Sequence, residues 1–201
     1  NFCAHPRSIS NFLIKINTTT IQDVVMILGP PSERFFKQDS RLSIFNPEGS
    51  DEKEHATLFF NYFFLGIDIC FDTSLRNATV KKVILHGNVP GAVSFQKYER
   101  CRWNLIGSSL SNDATYPNSE MKFNKFAKQY PFKETPMVLN RRLECATTSL
   151  NDDGMEVIGE TDEQHYDGDK LGDWGLTDLY GAPGLVIEVL KNGDIASLTI
   201  Y

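Results

Sequence analysis

Cysteine is scarce in this chain of 201 residues: four stand at positions 3, 70, 101 and 145. Their separations fit neither a zinc knuckle nor a redox pair, and disulfide frameworks belong to small secreted domains, so the thiols are expected to be reduced and the protein cytosolic. Histidine is as sparse, at 5, 55, 86 and 165, with no two at the spacing of a helix-borne metal site. Cys3-Ala4-His5 is a ligand-like pair with no third ligand nearby. Asp162, Asp167, Asp169 and Asp173 lack the order of ligands, glycine and terminal glutamate that an EF-hand needs, and read as a solvated loop. No apolar run reaches the roughly 18 residues of a membrane-spanning helix. The longest, Leu58 to Ile67, is too short and too aromatic and reads as buried strand. No glycine-rich loop runs from a strand into a helix with Lys-Ser or Lys-Thr, and no nucleophile elbow is present. Enzymatic activity, a metal and a cofactor are therefore not expected. Asn1 opens the chain with no signal segment before it, which reads as a piece cut from a longer protein.

What is abundant is phenylalanine, 14 residues in a chain 41% hydrophobic, enough for a buried core and too much for a disordered linker. The net charge of −6 hides a strong division. Residues 1–75 carry −3, residues 76–142 carry +8 and residues 143–201 carry −11. A basic middle beside an acidic end implies either mutual attraction or opposite faces for different partners.

Periodicity places the elements. Phe12 to Asn17 alternates as a first strand. Ile21, Val24, Val25 and Leu28 form one apolar stripe, predicting a helix over 20–28 that a threonine hydroxyl caps and Gly29-Pro30-Pro31 ends. Strands are expected at Glu33–Lys37, Leu42–Phe45, Leu58–Tyr62, Ile67–Phe71 and around Val80–Leu85, with a polar loop at 46–55. The order then recurs. Phe123, Phe126, Ala127 and Tyr130 give a second helical stripe, and Val138 to Leu143 a strand. Tyr180 to Val189 lies over Tyr62 to Phe71 at a constant offset of 118, tyrosine on tyrosine and Gly184 on Gly66. After a hairpin turned by Asn192-Gly193, Ile195, Leu198 and Ile200 match Val80, Val83 and Leu85 at an offset of 115. The expected fold class is α+β, with two tandem units, each a short helix packed on an antiparallel sheet. The boundaries are 1–105 for the first unit, 106–120 for a linker and 121–201 for the second, which carries an acidic insertion at 151–173.

The binding candidates come from aromatics and cations. Phe35, Phe36 and Trp103, with Arg100 and any exposed members of Tyr62–Phe64, are interface anchors for a protein partner, since aromatics and arginine dominate such contacts, although core packing is the ordinary fate of phenylalanine. Lys81, Lys82, Arg141 and Arg142 are candidates for anionic lipid head groups, at about 1 kcal/mol per cation near a membrane. Lys122, Lys125 and Lys128 form a polar helix face. Nucleic acid is not expected, because the chain is acidic overall and carries no recognised binding module. His86, at a strand end before a turn, reads as a hydrogen-bonding residue; a pocket between the repeats using it would be the route to an undetected enzyme or ligand carrier.

Several stretches carry a family likeness: Ile27-Leu28-Gly29-Pro30-Pro31, Phe59 to Asp72 (FFNYFFLGIDICFD), Val80 to His86, Asn88-Val89-Pro90-Gly91, Tyr98-Glu99-Arg100-Cys101 and the terminal Ile195 to Tyr201. Together they resemble the C-terminal half of the phagophore assembly factor 1 family, with residues 143–178 and Arg102-Trp103 departing from its pattern. The resemblance implies a cytosolic, non-enzymatic autophagy adaptor. It would be recruited to the phagophore with a β-propeller partner associated with phosphoinositides, and would work beside the N-terminal half of the same full-length protein. It supplies no catalytic residues to transfer.

Overall fold

Thr20 sets the first helix. In the computed structural model, which describes residues 13–38, 56–73, 77–106, 116–130, 132, 135–140 and 176–201, the Thr20 hydroxyl accepts from the Asp23 N–H at 3.3 Å. The Asp23 carboxylate in return accepts from the Thr20 N–H at 2.9 Å. This reciprocal box satisfies donors that a helix start leaves open, and α1 runs over Ile21–Leu28 to Gly29, whose φ of 80° ends it. Val24 is fully buried and Ile21, Val25 and Leu28 are partly covered, as the stripe requires.

Eight strands follow in antiparallel arrangement: β1 (Glu33–Gln38), β2 (Ala56–Tyr62), β3 (Ile67–Asp72), β4 (Thr79–His86), β5 (Met137–Asn140), β6 (Leu176–Ala182), β7 (Leu185–Leu190) and β8 (Ile195–Ile200), with α2 (Phe123–Phe126) ahead of β5. Their order in the sheet is β1-β2-β3-β4-β8-β7-β6-β5. The described chain is thus mostly an open antiparallel sheet with few helices. Three expectations change. Residues 13–19 form no strand and turn at Ile16–Thr18, because Asn17 takes a φ of 61° and the N–H groups of Thr18 and Thr19 fold back to the Lys15 carbonyl. The second helix stops at Phe126 instead of Tyr130, giving way to a turn in which the Gln129 N–H donates to the Phe126 carbonyl at 2.9 Å. The run Leu58–Ile67 is not one buried strand, for Phe63–Leu65 makes a 3-10 turn between β2 and β3. The expected strand Leu42–Phe45, the loop 46–55, the far end of Val138–Leu143 and the acidic stretch 151–173 lie outside the described residues.

The chain divides into two compact units, the first made of Asn1–Tyr62, Asp68–Val83 and Tyr201, the second of Phe63–Ile67 and Ile84–Ile200. In the first, Leu58, Phe60 and Tyr62 alternate inward along β2, and the Phe60 ring meets Phe71 edge-on at 4.9 Å. Tyr62 donates its hydroxyl to the Gly29 carbonyl at 3.0 Å and so fixes the end of α1. Burial raises the affinity of that hydroxyl for its proton, with Arg34 opposing.

In the second unit Phe123 and Phe126 of α2 join Ala182, Leu185, Ile187, Val189, Ile195 and Leu198 in one core cluster. The opposite face of β7 carries a buried carboxylate. Glu188 accepts from the Thr177 hydroxyl on β6 and the Ser197 hydroxyl on β8, each at 2.9 Å, which ties three neighbouring strands together where an unmatched charge would be costly. A smaller cluster of Val89, Ala92, Leu190 and Ala196 holds the loop after β4. Gly66 meets that loop's end. With a φ of 67°, it lies so close that a Cβ would collide with the Glu99 carbonyl oxygen.

Candidate partner-binding site

Strand β1 lies at one end of the strand order, hydrogen-bonded to β2 in the register Phe35 to Phe59 and Phe36 to Leu58. Successive side chains on a strand point to opposite faces, so Phe35 and Phe36 project one to each side. Both are open to solvent, at 55% and 63% exposure. On one face the Phe35 ring lies 6.4 Å from Phe59, and the Lys82 ammonium sits 5.5 Å from the centre of the Phe59 ring. On the other the Arg34 guanidinium lies 5.3 Å from the Phe60 ring. Aromatic rings flanked by cations on both faces can hold an apolar side chain beside an acidic one.

Lys81 is exposed and stands 3.9 Å from the Asp72 carboxylate. Cys70 is buried on β3. Burial pushes its thiol above the usual cysteine range, Lys82 pulls it down, Asp72 adds to the rise and Lys81 again opposes. Burial alone raises Cys101. Neither thiol is therefore primed as a thiolate nucleophile. Among the described residues no group of three or more His, Cys, Asp or Glu side chains is placed to hold a metal ion.

The other predicted anchors belong to the second unit and carry structural duties. Arg100 is exposed, yet its Nε donates to the Gly87 carbonyl at 2.9 Å and fastens the loop after β4. Trp103 is half-buried against the core cluster, 6.1 Å from the Phe126 ring. His86 is buried and stacks on Tyr98, with ring centres 3.8 Å apart. Arg141 and Arg142 lie outside the described residues. Within the first unit the structure thus brings Phe35 and Lys82 to the same ring, Phe59, with Phe36 next along the strand, while Arg100 and Trp103 belong to the second unit. Phe64, an anchor candidate on condition that it is exposed, is 85% exposed at the centre of the 3-10 turn. In the sequence Gly66 interrupts an otherwise apolar run, and the strands expected on either side, Leu58–Tyr62 and Ile67–Phe71, leave Phe63–Leu65 between them.

The model of the family described as Phagosome assembly factor 1 matches residues 5–201. The chain belongs to this family. A PHAF1 protein of Drosophila melanogaster is 29% identical over 197 residues, covering 90% of this chain and 39% of the relative. One of Caenorhabditis elegans is 28% identical over 184 residues, covering 90% of this chain and 36% of its own length. One of Arabidopsis thaliana is 29% identical over 187 residues, covering 90% and 38%. The chain thus spans well under half the length of these relatives. No solved structure matches it. Among the described residues no helix is long and apolar enough to cross a membrane.

Proposed function

We propose that the chain is a non-enzymatic adaptor domain of autophagy that binds a β-propeller protein and helps recruit it to the phagophore membrane from the cytoplasm, working beside the rest of its full-length protein. One observation carries the reading: an outer strand displays two consecutive exposed phenylalanines with cations on both flanks. Unpaired strand edges are templates for another chain, and main-chain pairing with alternate side-chain anchors is a recurrent way to hold a partner. Membership of an assembly-factor family supports the same role. The test is co-precipitation from cells with Phe36→Lys. Recovery of a β-propeller protein is expected to fall at least about tenfold, as for an anchor residue. Unchanged recovery removes β1 from the interface.

A second reading has Lys81 and Lys82, with Arg141 and Arg142, contacting phosphoinositide head groups; the exposure of Lys81 favours it. It requires vesicle binding that weakens with salt and with Lys81→Glu.

We also propose the tandem duplication and its boundaries, 1–105 and 121–201 about a linker at 106–120. What supports it is that the strand order reads 1-2-3-4 and 8-7-6-5, that a helix precedes each set, and that Gly66 and Gly184, related by the offset of 118, both take positive φ, 67° and 77°.

A further inference from the structure

The exposed turn between β2 and β3 has no part in the surface assigned above. Phe64 is 85% and Leu65 43% exposed, so the turn presents apolar side chains to solvent. The turn is firmly held from behind. The Glu99 N–H donates to the Phe63 carbonyl at 2.9 Å, the Tyr98 ring meets Phe63 edge-on at 5.0 Å, and the Lys97 ammonium lies 5.2 Å from the Phe63 ring. Gly66, with its lack of a side chain, lets this backbone contact close. The loop that buttresses the turn carries its own exposed apolar residues, Val93 at 36% and Phe95 at 38%. It also carries exposed Lys97, Arg100 and Arg102 against a single exposed acid, Glu99.

A well-held turn with an exposed aromatic and cations on the adjoining loop is how a soluble domain rests on an anionic bilayer. The apolar side chains enter the head-group and acyl boundary while lysine and arginine stay at the level of the phosphates. We propose that the Phe63–Leu65 turn, with Lys97 beside it and Arg102 on the buttressing loop, is an interfacial anchor for an anionic lipid surface. The excess of cations on that loop argues for that occupant.

Co-sedimentation of the full chain with vesicles of phosphatidylcholine, with or without phosphatidylserine, tests it. Binding to the phosphatidylserine vesicles is expected, and Phe64→Ser should lower the partition about tenfold, the scale of losing one buried aromatic side chain. Met26→Ser, which removes an 80% exposed apolar side chain from α1, should change nothing. In Phe64→Trp, brominated lipid should quench emission more than it does in the unmodified chain. The proposal is overturned if the chain ignores anionic vesicles even at low salt, if Phe64→Ser binds them undiminished, or if Phe64→Ser loses a protein partner while vesicle binding persists.

Discussion

At Thr20 and Asp23 a single pair of side chains decides where a helix begins, and its chemistry makes the start sensitive to acid. The Thr20 backbone N–H, then its hydroxyl at 2.7 Å, hold the Asp23 carboxyl below its ordinary value of 3.8, with a small desolvation effect opposing. A carboxyl whose folded value is depressed contributes stability that is present above its unfolded value and is lost as pH falls through the folded one. The gap in urea midpoint between the unmodified chain and Asp23→Asn is therefore expected to narrow as pH drops below about 4. At neutral pH, Thr20→Ala should cost about 1 kcal/mol, the usual worth of an N-cap, by urea unfolding. This start was legible in sequence because the threonines directly precede an apolar stripe of helical period. The exposure of Phe64 was not. Gly66 marks a break between two strands, but it does not say which of the aromatics before it stays in solvent.

At the scale of elements, alternation located β2, β3, β7 and β8, since each buries one face or both and its apolar spacing reports that directly. The length of α2 escaped the same reasoning. Tyr130 continues the stripe in sequence, but the helix has already given way to turns, and its hydroxyl reaches the Pro183 carbonyl at 3.5 Å from outside the element. Turns supply sharper tests. Gly66→Ala places a Cβ against backbone at positive φ and should cost at least about 2 kcal/mol. Gly193, with a φ of 82° and open space around it, should lose only about 1 kcal/mol on the same change. Chemical denaturation of the two variants side by side separates the collision from the dihedral strain. On the sheet, Glu188→Ala strips both hydroxyls of their acceptor, and about 2–3 kcal/mol of destabilisation is expected in the same measurement.

For the whole molecule, what could be read in advance was order along the chain: the same succession of elements twice, and a charge that divides into −3, +8 and −11. Pairing between distant segments was not readable. Nothing in the spacing of Thr79–His86 or of Ile195–Ile200 declares them neighbours, yet β4 and β8 are adjacent in the sheet, because strand pairing depends on which edges remain after each hairpin has formed. For the same reason Phe35 and Phe36 could be named as anchors from their chemistry, while their place on an outermost strand had to come from the structure.

That strand order has a consequence for handling the protein. β1 ends the sheet on one side with Phe35 and Phe36 exposed, and β5 ends it on the other with Met137 and Val138 exposed at 70% and 62%. Each edge can pair with a like edge of another molecule, but the two are chemically unlike, so self-association through both does not close into a dimer. It extends as a filament. Separated from whatever covers these edges, the domain is expected to cloud and precipitate on concentration, and a charged substitution at one end alone would limit chain growth to pairs.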